Sequence, residues 1–255
     1  MNVFIDTDLE GISGITNITQ VMDTEADTYR FSLERLMLDV NAAIAGAFDG
    51  GADAVYVNDG HGTGVNFIDE MLDPRAVKTK KMDFAKIDAV FQVGVHAMAG
   101  TLNAFLDHTQ SSLAWHDYIV NGRKCGEIAQ CAIYAGAYDI PCVMVSGDEA
   151  ACVEAKQFLG DIEVAVVKYA VGRNTAKSID LDEALSKIYN AAKNGMSLIG
   201  KIKPYKPLMP MEVVLELNRS DYCDMKMNSP NVERLDARTV RKIVHEINSF
   251  HDILI

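Results

Sequence analysis

The stretch ADAVYVNDGHG, residues 52–62, runs from apolar residues into an asparagine, an acid, two glycines and a histidine. Its apolar half reads as a buried strand over roughly 53–58, closing in a polar, glycine-rich turn. Upstream, Leu33, Leu36, Met37, Val40, Ile44, Ala47 and Phe48 recur at three- and four-residue steps. That spacing is one face of an amphipathic helix, and Gly50-Gly51 stops it. Further upstream, Phe4 and Ile5 close an apolar N-terminal strand. Strand, helix and strand within about sixty residues form a βαβ unit, which implies parallel pairing and a right-handed crossover.

The pattern recurs downstream. IDAVFQVGVHAMAG (87–100) reads as a strand ending at a histidine and small residues. IVNGRKCG (119–126) carries an Asn-Gly pair suited to a type I′ hairpin turn. GEIAQCAIYAGAYDIP (126–141) reads as a helix closed by Pro141, CVMVSGDEAA (142–151) as a strand entering a helix, and EVAVVKYA (163–170) as a further strand. Asp180 followed by Glu183 resembles a capping box opening another helix. Prolines 204, 207 and 210 mark the clearest break in composition. Beyond it, MEVVLELN (211–218) reads as a strand and DARTVRKIVHEINSFHDIL (236–254) as a terminal helix. The expectation is an α/β fold: a mostly parallel sheet flanked by helices in a three-layer core, with a smaller C-terminal α+β portion. The expected division is a metal-binding catalytic core over 1–165 and a second portion over 166–255.

Composition narrows the function. The 255 residues are 49% apolar, enough for a substantial core. A formal net charge of −12, with no Lys/Arg run, argues against binding nucleic acid. Five cysteines (125, 131, 142, 152 and 223) show no CxxC spacing, which fits reduced thiols rather than a disulfide framework. The N-terminal residues lack the features of a signal peptide, and no apolar run reaches the roughly 20 residues of a membrane span. The expected location is the cytoplasm.

The chemistry gathers at strand ends. In FIDTDLEGISG (4–14), Asp6, Asp8 and Glu10 alternate along an extended chain and share one face, where like charges repel. A solvated strand end, a nucleophilic Asp of a phosphoryl-transfer site, or a bound divalent cation would each accommodate them. His61 and His96 each follow a hydrophobic strand, so the parallel sheet brings both to the edge that holds these acids. Mixed N and O ligands suit catalytic zinc. His116, His245 and His251 read as ordinary structural or surface residues.

DLEG (8–11), NDGHG (58–62), GVHAMAG (94–100), FLDHTQSS (105–112) and CGEIAQCAIYAG (125–136) together resemble, in order, the zinc-dependent D-aminopeptidase family. The resemblance runs from residue 1 to about 180 and weakens after the prolines. It implies two zinc ions per subunit: Asp8 bridging, Glu10 and His96 completing one site, and His61 and Glu127 the other. It makes His108 the catalytic histidine, although LDHTQ departs from the serine-flanked histidine of the family's type member. Asp6 precedes the matched motif and reads as a supporting residue. The implied activity is a metallo-aminopeptidase or amidase that removes the N-terminal residue of short peptides, D-amino-acid-containing by resemblance alone. The implied assembly is a homo-oligomer, a decamer, with active sites facing an internal channel.

Two rival readings fit parts of the same sequence. A haloacid-dehalogenase-like, magnesium-dependent phosphatase would use Asp6 as nucleophile and Asp8 as general acid, leaving the histidines unexplained. A metal-dependent peptide-binding protein without turnover would bind metal and catalyse nothing. No GxGxxG follows the first strand, so a dinucleotide site is not indicated.

Overall fold

In the computed structural model, which describes residues 1–25, 27–81 and 83–255, β1 (Asn2–Thr7) is followed by a short α1 (Thr19–Met22) and a long α2 (Asp27–Asp49). The stripe Leu36, Met37, Val40, Ala43, Ile44 and Ala47 of α2 is fully buried, as its spacing requires. The Ala52 amide returns to the Ala47 carbonyl to close the helix beyond Gly50 and Gly51. Next come β2 (Ala54–Asp59), β3 (Val77–Lys78) and β4 (Ala89–Val95), then β5 (Trp115–Val120), β6 (Arg123–Lys124), α3 (Glu127–Ala137), β7 (Cys142–Asp148) and α4 (Glu149–Leu159). β8 (Glu163–Gly172), β9 (Thr175–Ser178), α5 (Leu181–Met196), β10 (Met211–Leu217), α6 (Ser220–Lys226), β11 (Val232–Arg234) and β12 (Thr239–Val244) complete the order.

Seven strands form one sheet in the order β3-β2-β1-β4-β7-β8-β9, parallel except for the antiparallel β8-β9 pair. Alternation along β1 builds three layers. Val3 and Ile5 pack with α2 and α5, while Phe4 packs with Ile128, Ala132 and Ala135 of α3 and with Ala151 and Ala155 of α4. The outer side of α3, at Ala129 and Ile133, packs on a second sheet in the order β11-β12-β10-β5-β6. The mostly parallel, helix-flanked architecture is therefore the expected one.

The boundary expected at residue 165 runs through β8, and the second sheet takes β5 and β6 from the middle of the chain. Asn121 and Gly122 both adopt positive φ (48° and 79°), as the hairpin between those two strands requires. One expectation is corrected. Residues 236–254 are not a helix: they form β12, which pairs antiparallel with β10, and a short 3-10 turn at Phe250–Ile253. Thr239, Val240, Ile243 and Val244 are β-branched, and β10 offers them a ladder. Asp236 starts that strand by accepting the amides of Arg238 and Thr239.

Candidate metal centre

β1 lies between β2 and β4, and the chain leaves it in opposite directions, so the sheet's switch point falls at its carboxyl end. The register pairs Thr7 with both Asp59 and Val93. Asp8, His61 and His96 therefore leave three neighbouring strands at one level. The Asp8 amide donates to the Val93 carbonyl (2.9 Å) and the Gly60 amide to the Thr7 carbonyl (2.9 Å). Gly11 lies so close to β4 that a Cβ on it would sit 2.1 Å from the Val95 carbonyl oxygen. That approach is the physical reason for glycine in DLEG.

The two carboxylate oxygens of Asp8 face different partners. Oδ1 lies 3.0 Å from His61 Nδ1, which is also 3.1 Å from Glu10 Oε2. Oδ2 lies 3.2 Å from His96 Nε2, which is also 3.5 Å from Glu127 Oε1. The family resemblance grouped Glu10 with His96 and His61 with Glu127; these distances group Glu10 with His61 and His96 with Glu127. Asp8, Glu10 and His61 bring one potential ligand atom each within 4.8 Å of one another, as do His96, His108 and Glu127.

The buried carboxylates and imidazoles of the cluster shift one another's protonation strongly. Burial disfavours the His61 imidazolium, but Asp8 and Glu10 outweigh it and lift its pKa to about 11. His96 is raised in the same way against its burial, chiefly by Asp8 and Glu127. Burial would raise Asp8, yet the two imidazoles hold its carboxyl well below the usual range. Glu127 is raised by its low-dielectric setting and by Asp8. Glu10 Oε2 is buried, with no hydrogen bond beyond the 3.1 Å approach of His61 Nδ1. Three carboxylates and two imidazoles so placed fit a divalent metal.

The ring orientations are fixed. His96 Nδ1 lies 3.0 Å from the Ala97 carbonyl and His108 Nδ1 lies 2.8 Å from the Leu106 carbonyl. A carbonyl only accepts, so both Nδ1 atoms donate and both Nε2 atoms face the site. The two rings stack at 3.9 Å with an 11° interplanar angle. His108 Nε2 is 3.9 Å from Glu127 Oε1.

His108 is held by its own segment rather than by a serine. Asn103, Leu106 and Gln110 all have positive φ (57°, 53° and 58°), a costly backbone for side-chain-bearing residues. The strain is fastened from several sides. The Phe105 amide donates to Asp148, Leu106 to the Arg173 carbonyl and Gly100 to Asp107, while Gln110 donates to Glu127 Oε1 (2.6 Å).

All six predicted residues converge here: Asp8, Glu10, His61, His96, His108 and Glu127. Asp6 lies behind them; its Oδ1 accepts from Asn58 (2.8 Å), and burial lifts its pKa to about 6. Sequence reasoning missed the supports. Asn66 donates to both oxygens of Asp59 and to the His61 carbonyl, tying down the turn that carries His61. The signal was the recurrence of Asx residues at both ends of that turn.

Glu154 on α4 is a further buried support. Its Oε2 accepts from the Met98 amide (2.7 Å) and its Oε1 has no partner. Burial raises its pKa from 4.5 to about 7. The folded protein keeps this proton up to about pH 7, whereas the unfolded chain releases it near 4.5. Stability contributed by the neutral carboxyl is thus lost as pH rises through that window. Glu154→Gln keeps an acceptor for Met98 but cannot ionise. Urea unfolding of the metal-free proteins should find the variant gaining stability relative to wild type from pH 5 to pH 8; a constant difference would contradict this.

This arrangement is that of an α/β protein with a candidate metal centre at the carboxyl edge of a mostly parallel sheet. The D-aminopeptidase family model matches residues 1–254. A D-aminopeptidase of Bacillus subtilis (strain 168) is 31% identical over 236 residues, covering 87% of this chain and 82% of that one. The chain belongs to the D-aminopeptidase family. The solved structure of "Zn-dependent D-aminopeptidase DppA from Bacillus subtilis, a self-compartmentalizing protease" superposes with a TM-score of 0.93. That superposition covers 100% of this chain and 95% of the other at 24% identity, so the fold is shared throughout. Among the described residues no helix is long and apolar enough to cross a membrane.

Proposed function

We propose that this D-aminopeptidase-family protein is a two-zinc enzyme that removes the N-terminal residue of short D-amino-acid-containing peptides. The observation that carries the reading is the Asp8 carboxylate, whose two oxygens each face a separate imidazole–carboxylate pair. Asp8, with Glu10 and His61 against one of its oxygens and His96 and Glu127 against the other, would hold the two ions. Zinc bound there supplies charge neutralisation and a water acidic enough to deprotonate near neutral pH.

The chain's own residues do the rest. His108 holds its Nδ1 proton on the Leu106 carbonyl, so Nε2 takes up a proton as water adds to the peptide carbonyl and returns it to the departing amine. The His96 ring beneath it fixes its plane. The relative whose structure matches is called self-compartmentalizing. By that likeness the chain forms a homo-oligomer of family size, a decamer, in which residues beyond 204 shape the assembly and the substrate entrance.

Paired D- and L-aminoacyl anilides test this reading. The zinc-loaded protein should release the aromatic amine from the D series, and chelation should stop it. Hydrolysis of the L series alone, or of neither by protein carrying its zinc, would reject the reading.

A further inference from the structure

Lys168 is fully buried on β8, directly after the apolar run Val164–Val167. A buried ammonium is expensive unless every N–H finds a partner, and methionine would fill the same space without that cost. Its Nζ donates to two backbone carbonyls, Glu10 and Ile15, each at 2.7 Å. It also lies 4.9 Å from the centroid of the Phe105 ring.

The first bond matters most. The Glu10 carbonyl and the Gly11 amide belong to one peptide plane, and that amide donates to the Gly94 carbonyl at 2.7 Å. The plane is therefore pinned at both ends, from β8 and from β4. A plane held that way fixes the direction in which Glu10 leaves the backbone. Its side chain then places Oε2 3.1 Å from His61 Nδ1. The same turn is held a second time, because buried Asp39 on α2 accepts both the amide (2.8 Å) and the hydroxyl (2.5 Å) of Ser13. On its other side the ammonium sits against Phe105, whose own amide donates to Asp148 and which lies three residues before His108.

We infer that Lys168 is a positioning residue of the metal centre: it holds Glu10 in ligand geometry before any metal arrives, and links that turn to the His108 segment. The inference rests on the zinc reading above and adds to it a preorganising group that touches neither metal nor substrate. Partners that orient metal ligands typically cost 10–100-fold in affinity when removed.

Zinc titration of Lys168→Met tests it. Wild type is titrated first; a wild type that binds no zinc refutes the zinc reading itself, and with it the role of Lys168. With two zincs on wild type, Lys168→Met should weaken one position by about 10–100-fold, the same position that Glu10→Gln weakens, and leave the other near its wild-type affinity. A merely structural loss would weaken both alike, and that result, or two unchanged affinities, overturns the inference. Crystals of metal-free wild type supply a test that needs no variant. The Glu10 and Ile15 carbonyls should remain on Lys168; a turn detached from the ammonium in the absence of metal overturns the inference equally.

Discussion

Asp8→Ala is expected to bind no zinc, while His61→Ala and His96→Ala each keep one zinc per chain. The asymmetry follows from geometry. Asp8 is the residue whose oxygens face both imidazole–carboxylate pairs, at 3.0 and 3.2 Å, whereas each histidine approaches only one of those oxygens. Removing it leaves each position with two protein ligands and removes the carboxylate between them. Turnover should fall to background, since the variant lacks the means of making a nucleophile from water near neutral pH. The folded state should survive, because Asp8 is a strand-end residue whose alanine replacement keeps the backbone bond to Val93. Metal per chain after dialysis decides the matter. Two metals retained by Asp8→Ala would remove the bridge.

His108→Ala is expected to keep its zinc and its fold while turnover falls by about 10² to 10⁴, the usual range for losing a positioned acid–base group. Binding of a competitive inhibitor should change far less. His108 sits in a strained segment whose fastening is by backbone: the Phe105 and Leu106 amides, and the His108 amide on the Ala97 carbonyl. Alanine leaves those bonds in place. His116, exposed on β5, is the control and should tolerate alanine at near wild-type rates. Loss of zinc from His108→Ala would make it a ligand beside Glu127, whose Oε1 is 3.9 Å from its ring. Unchanged turnover would leave it a structural histidine packed on His96.

What could be read from the chain depended on the range of the forces involved. The strands that aim His61 and His96 are continuous apolar runs of local sequence, so their ends, and the edge they share, were legible. Glu127 was not, because the first residue of a helix is acidic for ordinary dipole reasons in many proteins; only the family resemblance singled it out. The pairing of ligands was also out of reach, since it depends on side-chain directions that spacing does not encode. The second sheet joins residues 115–124 to 211–244, and a partner so distant turned a helical reading of 239–244 into a strand. Lys168 and Asp39 stayed hidden for a related reason. A charge in EVAVVKYA, or one in a helix, reads as solvent-facing until the turn at 10–15 is packed over it.

The most direct measurement is anomalous diffraction across the zinc absorption edge on crystals of the zinc-loaded protein. The account predicts two peaks per chain on opposite sides of the Asp8 carboxylate, one within bonding distance of Glu10 and His61, the other of His96 and Glu127. A single peak, peaks away from Asp8, or a peak joining Glu10 to His96 would contradict it.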